Sequence, residues 1–135
     1  MERQRTRRMT PILGPVILFC FYAESASAHH PEISAVAVCD DNDELVIEYT
    51  ATAWASVNLA KRANPQVDVL INNVKVDDGA FVAPDFAFSG STSAPPGGSA
   101  TVTALAVAAW GDGAAGGQST SVTVTYPAEA CAQPT

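Results

Sequence analysis

From residue 33 onward, apolar and polar side chains alternate in short runs, broken by clusters of Gly, Pro, Asn and Asp roughly every ten positions. Alternation with a period of two marks a strand with one buried and one wet face. In 45–54, Leu45, Ile47, Tyr49 and Ala51 share one face while Glu48, Thr50 and Thr52 share the other. The run 119–126 repeats this, with Val122, Val124 and Tyr126 set against Ser121, Thr123 and Thr125. Val67, Val69 and Ile71 give 66–72 an inner row, and Phe86 and Phe88 give one to 85–89. The run 101–110 is apolar on both rows, as a central strand would be, so its facing is open. With 33–39 and a short 74–77, seven strands are predicted, and a brief run at 80–82 leads into the fifth. We letter them A, B, C, C′, E, F and G in chain order. No stretch has the periodicity of a helix.

The breaks have the chemistry of turns. Asp40-Asp41-Asn42-Asp43 separates A from B, and Asn72-Asn73 is a compact hairpin signal between C and C′. Residues 90–99, with Pro95-Pro96-Gly97-Gly98, read as the E–F connection, and 111–117 as the F–G loop. Short strands at this spacing predict an all-β, antiparallel two-sheet sandwich.

Residues 100–127, ATVTALAVAAWGDGAAGGQSTSVTVTYP, resemble the last two strands of a bacterial fibronectin type III or related immunoglobulin-like module. The shared pattern is an alternating F strand, a glycine-containing loop, a serine, then a Val/Thr-alternating G strand ending at proline. Ala100 or Thr101 stands near the family's strand-F tyrosine, and strand B has no tryptophan in its middle. The resemblance implies an immunoglobulin-like sandwich of about seven strands; it transmits no function. In that topology the A–B, C–C′ and E–F loops share one pole, and the B–C, C′–E and F–G loops share the other.

The start of the chain has a different composition. Arg3, Arg5, Arg7 and Arg8 precede an apolar run over 12–22, and Ala26-Ser27-Ala28 supplies a small-x-small cleavage pattern. Residues 1–28 are expected to be a signal peptide and 29–135 one domain, secreted, periplasmic or at the cell surface. The apolar run is about half of the ~20 residues that a membrane helix needs, so no span is expected after cleavage. Cleavage removes Cys20 and leaves Cys39 and Cys131, an even pair in an exported protein, hence one disulfide. Cys39 ends strand A and Cys131 follows strand G, which places both at the A–B pole.

Charge narrows the function. Without Glu2, Glu24 and those four arginines, the domain keeps twelve Asp and Glu against Lys61, Arg62 and Lys75, a net of −9. Nucleic acid and anionic membranes call for a basic surface, so neither is expected as a partner. Both histidines sit at the new terminus, which leaves no Ser/His/Asp triad or thiol–imidazole pair, so no enzyme is expected.

Three candidate sites remain. Trp54 and Trp110 end strands B and F at one pole, beside Lys61, Arg62 and Asn64 of B–C, Asp77 and Asp78 of C′–E, and Asp112 and Gln118 of F–G. Two tryptophans among amides and charges could stack on a sugar or anchor a protein; the alternative is that they close the end of the core. Asp40, Asp41 and Asp43 concentrate the oxygen ligands calcium takes, in a segment that equally reads as a solvated turn. His29, once N-terminal, offers an amine and an imidazole to copper. This start is similar to that of copper-binding exported β-sandwiches such as lytic polysaccharide monooxygenases and periplasmic copper carriers. Those families add a histidine from the folded domain, whereas here only the adjacent His30 exists; the alternative is a disordered start. The leading expectation is a non-catalytic binding or adhesion module for an extracellular protein or carbohydrate. A structural envelope, matrix or filament component that self-associates through sheet edges or faces comes second, and copper binding third.

Overall fold

A computed structural model of the protein describes residues 28–127 and Cys131. The expected signal peptide, apart from its last residue, lies outside the described residues. Seven strands follow in order: β1 (Pro31–Cys39), β2 (Leu45–Ala53), β3 (Asn64–Ile71), β4 (Val74–Phe81), β5 (Ala87–Ser93), β6 (Ser99–Ala106) and β7 (Ser119–Thr125). One 3-10 turn, Leu59–Arg62, interrupts the β2–β3 loop. The strands make two antiparallel sheets, β1-β2-β5 and β4-β3-β6-β7. The fold is the expected immunoglobulin-like sandwich, with β1 to β7 standing for A, B, C, C′, E, F and G.

Alternation decides which side chains fill the space between the sheets. Ile47, Tyr49, Ala51 and Ala53 of β2 face inward, as do Val67, Val69 and Ile71 of β3. The facing of β6 is settled by Ala100, Val102, Ala104 and Ala106, all buried, with Thr101, Thr103 and Leu105 on the outer row. Phe81 is the largest fully buried side chain, and Val124 and Tyr126 close the β7 side. The Asn72-Asn73 hairpin forms as expected. Both residues have positive φ (52° and 70°), as a turn matched to the twist of the flanking strands requires.

Cys39 and Cys131 are joined, and their bond lies at the β1–β2 pole. It closes a stretch with a sequence separation of 92.

Several boundaries differ from the sequence reading, each for a local reason. Residues 74–81 form one strand, so the separate run at 80–82 does not exist, and Asp77 and Asp78 sit within β4 rather than in a turn near the tryptophans. The fifth strand starts later and runs on through Gly90 to Ser93, which the sequence assigns to a loop. Phe86 adopts φ 52° and so stands outside it. Gly90 is a packing requirement and not a turn: a Cβ there would lie 2.7 Å from both the Tyr49 hydroxyl and Asp77 Oδ2. The sixth strand stops at Ala106, because the chain then turns back on itself, with Gly113 N–H donating to Trp110 O and Trp110 N–H to Ala114 O.

Candidate functional site

The β2–β3, β4–β5 and β6–β7 loops meet at one pole, and the two tryptophans lie beneath them. Trp54 and Trp110 pack edge to face, their centroids 5.0 Å apart, and expose only 7% and 2% of their surface. Trp110 also stacks near Phe81 at 6.1 Å, and its indole N–H donates to Gln118 Oε1 at 2.9 Å. Both rings therefore belong to the core. Neither presents a face on which a sugar could stack, and of the two readings the sequence allows, closure of the core is the one realised.

The polar candidates around them divide by what they hold. Arg62 points inward: Nε donates to Trp54 O (2.9 Å), Nη2 to Ala53 O (3.2 Å), and Cζ sits 4.9 Å over the Phe86 ring. Buried Asn64 donates from Nδ2 to Ala108 O and accepts Gln66 N–H, which ties the β2–β3 and β6–β7 loops together. Asn58 caps the 3-10 turn, its side-chain oxygen accepting Ala60 N–H at 3.1 Å. Arg62 and Asn64 thus shape the loops from inside, whereas the Lys61 side chain is in no ion pair among the described residues. Asp77 lies away from this pole's surface and accepts the Tyr49 hydroxyl between the sheets at 2.6 Å. Asp78 pairs with Lys75 at 3.1 Å.

The segment 28–30 is ordered against this pole, contrary to the disordered start considered above. The His29 ring lies 4.6 Å from Trp54 and 6.1 Å from Trp110, and its Nε2 is 2.8 Å from Asp112 Oδ2. His30 sits 3.6 Å from Glu32, and its carbonyl accepts Trp54 N–H. The imidazole beside Asp112, helped by Ala114 N–H, holds that carboxyl below the usual carboxylate range. Sequence placed Asp112 and His29 in separate candidate sites; the fold brings them together across 83 residues.

What sequence reasoning missed is apolar. Val57 is fully exposed at the tip of the β2–β3 loop, Leu59 is 56% exposed, and Val82 and Val107 stand out on the two neighbouring loops. The signal was present as aliphatic residues outside any strand pattern, which alternation alone leaves uninterpreted.

At the opposite pole the acidic turn is built around its own backbone. Asp40 Oδ1 accepts the N–H groups of Asn42 and Glu44, both at 2.9 Å. Among the described residues no three or more His, Cys, Asp or Glu side chains are grouped to hold a metal, so Asp40, Asp41 and Asp43 do not converge on a calcium position. Beside this turn lies a cleft of about 390 Å³, lined by Glu44, Leu45, Pro95, Pro96 and Tyr126 among others. A larger depression of about 550 Å³ runs over the outer face of the three-stranded sheet, between rows of small hydroxyl side chains and Glu48. Among the described residues no helix is long and apolar enough to cross a membrane.

No family model, curated protein or solved structure matches the chain.

Proposed function

We propose that the protein is a non-catalytic exported binding module that contacts an extracellular protein through the pole formed by its β2–β3, β4–β5 and β6–β7 loops. One observation carries the reading. Arg62, Asn64 and Asn58 are spent on fixing the loops' own conformation, while Val57, Leu59, Val82 and Val107 are left exposed above a rigid aromatic base. Loops held by a stiff scaffold are where binding residues concentrate, and apolar side chains grouped at one end favour a protein over a sugar. Export is supported by the composition of residues 1–28 and by the disulfide, which belongs to oxidising compartments. The test replaces Val57 and Leu59 together by Asp and compares partner capture with that of Val36→Asp, an exposed valine on the outer face of β1. Capture lost only in the first variant, with unfolding unchanged in both, supports the reading; equal capture by both sinks it.

A second reading is favoured by the setting of His29. Asp112 fixes the ring through Nε2, and among the described residues Nδ1 has no hydrogen bond. Cleavage after Ala28 would put a free amine on the same residue, and amine and imidazole nitrogens suit Cu(II). These two nitrogens would hold the ion, with Asp112 orienting the ring from behind. Copper should then quench the fluorescence of Trp54, whose ring is 4.6 Å from that of His29. An extra residue before His29 should abolish the quenching; quenching that survives the extension counts against the site.

A further inference from the structure

The two poles carry different features, an apolar projection at one and a cleft at the other. At the loop pole, Val57 and Leu59 project beside Lys61 and Arg62, two of the domain's three cations. The third, Lys75, is paired with Asp68 and Asp78, and Arg62 is turned inward onto the Ala53 and Trp54 carbonyls, whereas Lys61 is in no ion pair among the described residues. At the opposite pole, Leu45, Ala94, Pro95, Pro96 and Tyr126 line the cleft, and Glu44 stands on its rim. Asp41 and Asp43 are exposed in the adjoining turn and, with Glu44, form no ion pair among the described residues. Three of the donors lining the cleft are engaged internally: Tyr126 hydroxyl donates to Pro95 O, Tyr126 N–H to Gly98 O, and Ala94 N–H to Leu45 O. The cleft offers a visitor the apolar surface of Leu45, Ala94, Pro95 and Pro96, with the Ser93 hydroxyl among its lining and the Glu44 carboxylate at its edge.

We propose that the partner of the loop pole is a second copy of this chain, with Val57 and Leu59 of one molecule entering the Leu45/Pro95/Pro96/Tyr126 cleft of the next and Lys61 meeting its Glu44 and Asp43. This rests on the binding reading above and names the occupant. The pairing joins two different surfaces, so each molecule keeps one free projection and one free cleft. Such a contact extends head to tail into an open chain unless its rotation closes a ring. Apolar insertion supplies the affinity, and the unpaired charges set which end meets which.

The experiment is sedimentation of the purified chain from about 1 μM to about 1 mM. The wild type should show a mass that rises with concentration and falls when salt is raised from about 20 mM to about 500 mM. Leu59→Asp blocks the projection, and Glu44→Lys with Asp43→Lys blocks the cleft rim; each alone should weaken association about tenfold or more. Mixing the two variants is decisive. Each retains the surface the other lacks, so the mixture should form dimers and stop there. A wild type that stays monomeric across the range overturns the proposal, as does a mixture that forms nothing. A photo-crosslinker at Pro96 that joins only residues of its own chain does so too. If the chain is monomeric while Val57→Asp/Leu59→Asp still abolishes capture of another protein, self-pairing fails and the binding reading survives.

Discussion

Tyr49 of the central strand β2 reaches past Gly90 of edge strand β5 to Asp77 of edge strand β4, a junction between the two sheets that can be taken apart by a double-mutant cycle. The Tyr49 hydroxyl donates to Asp77 Oδ2 at 2.6 Å, and Gly90 leaves just enough room for that bond. Tyr49→Phe removes a hydrogen bond to a carboxylate from a partly buried site, which should cost about 2 kcal/mol. For a domain of this size that lowers Tm by roughly 8–16 °C. Gly90→Ala places a methyl 2.7 Å from both bonded oxygens, and overpacking of this kind costs about 1–3 kcal/mol. The two losses should not add. With the hydroxyl already gone, one of the methyl's two 2.7 Å contacts is gone, while Asp77 Oδ2 at 2.7 Å and the ring's Cε1 at 3.0 Å remain, so Gly90→Ala should cost about 1 kcal/mol less in the Tyr49→Phe background. Urea unfolding of the four proteins, with a common m-value, measures all the terms. Costs that add to within about 0.5 kcal/mol, or a neutral Tyr49→Phe, would refute the junction.

Other outcomes follow from groups already placed. Burial, reinforced by Asp77, pushes the Tyr49 phenol well above its ordinary value. Its contribution is therefore complete below about pH 10, where both states are neutral, and is lost as the pH climbs above that and only the unfolded chain ionises. Absorbance at alkaline pH should show this phenol ionising together with unfolding. Asp112 carries the opposite sign. Its carboxyl is depressed, chiefly by His29, so the tie is intact above the usual carboxylate range and is lost as pH falls through the lowered value. Tryptophan emission followed in acid should report that step in the wild type and lack it in Asp112→Asn. Arg62→Gln leaves the carbonyls of Ala53 and Trp54 without their donor and should cost about 2 kcal/mol by urea unfolding. Replacing Cys39 and Cys131 by Ser opens a loop with a separation of 92 and should cost about 4–5 kcal/mol in the chain-entropy account, checked by the same assay.

The parts of this fold that could be read from sequence are those set by alternation. The inner rows of β2, β3 and β7 follow from period-two patterns, and the two cysteines meet because β1, which ends at Cys39, and β7, which Cys131 follows, run toward one pole. Where the sequence misleads, a residue has a second use. Gly90 lies in a serine-rich stretch and looks like a turn, but a strand needs it for clearance. Phe86 looks like the start of an inner row, but its left-handed backbone puts it before the strand, with its ring under Arg62. The β6 strand is legible as a strand, but its facing is not, because alanine and valine fit either face; only its neighbours decide. At the candidate site, Trp54 and Trp110 were found by position, but their burial depends on His29, Phe81 and the loop backbone, which lie far away in the chain. The exposed valines and Leu59 gave no pattern at all, since a loop has no period to violate.

The disulfide also determines how the molecule would bear a load. The described chain enters the sandwich at His29 beside Trp54 and is tied off at Cys131, which is bonded to the last residue of β1. Tension applied between those points runs along β1 alone and crosses to Cys131 through the sulfurs. Strands β2 to β7 lie inside the covalent loop and cannot be drawn out. Pulled between His29 and Cys131, the described chain would lengthen by little more than one peeled strand, roughly 3.3–3.6 Å for each residue released, and the strands inside the loop would stay folded.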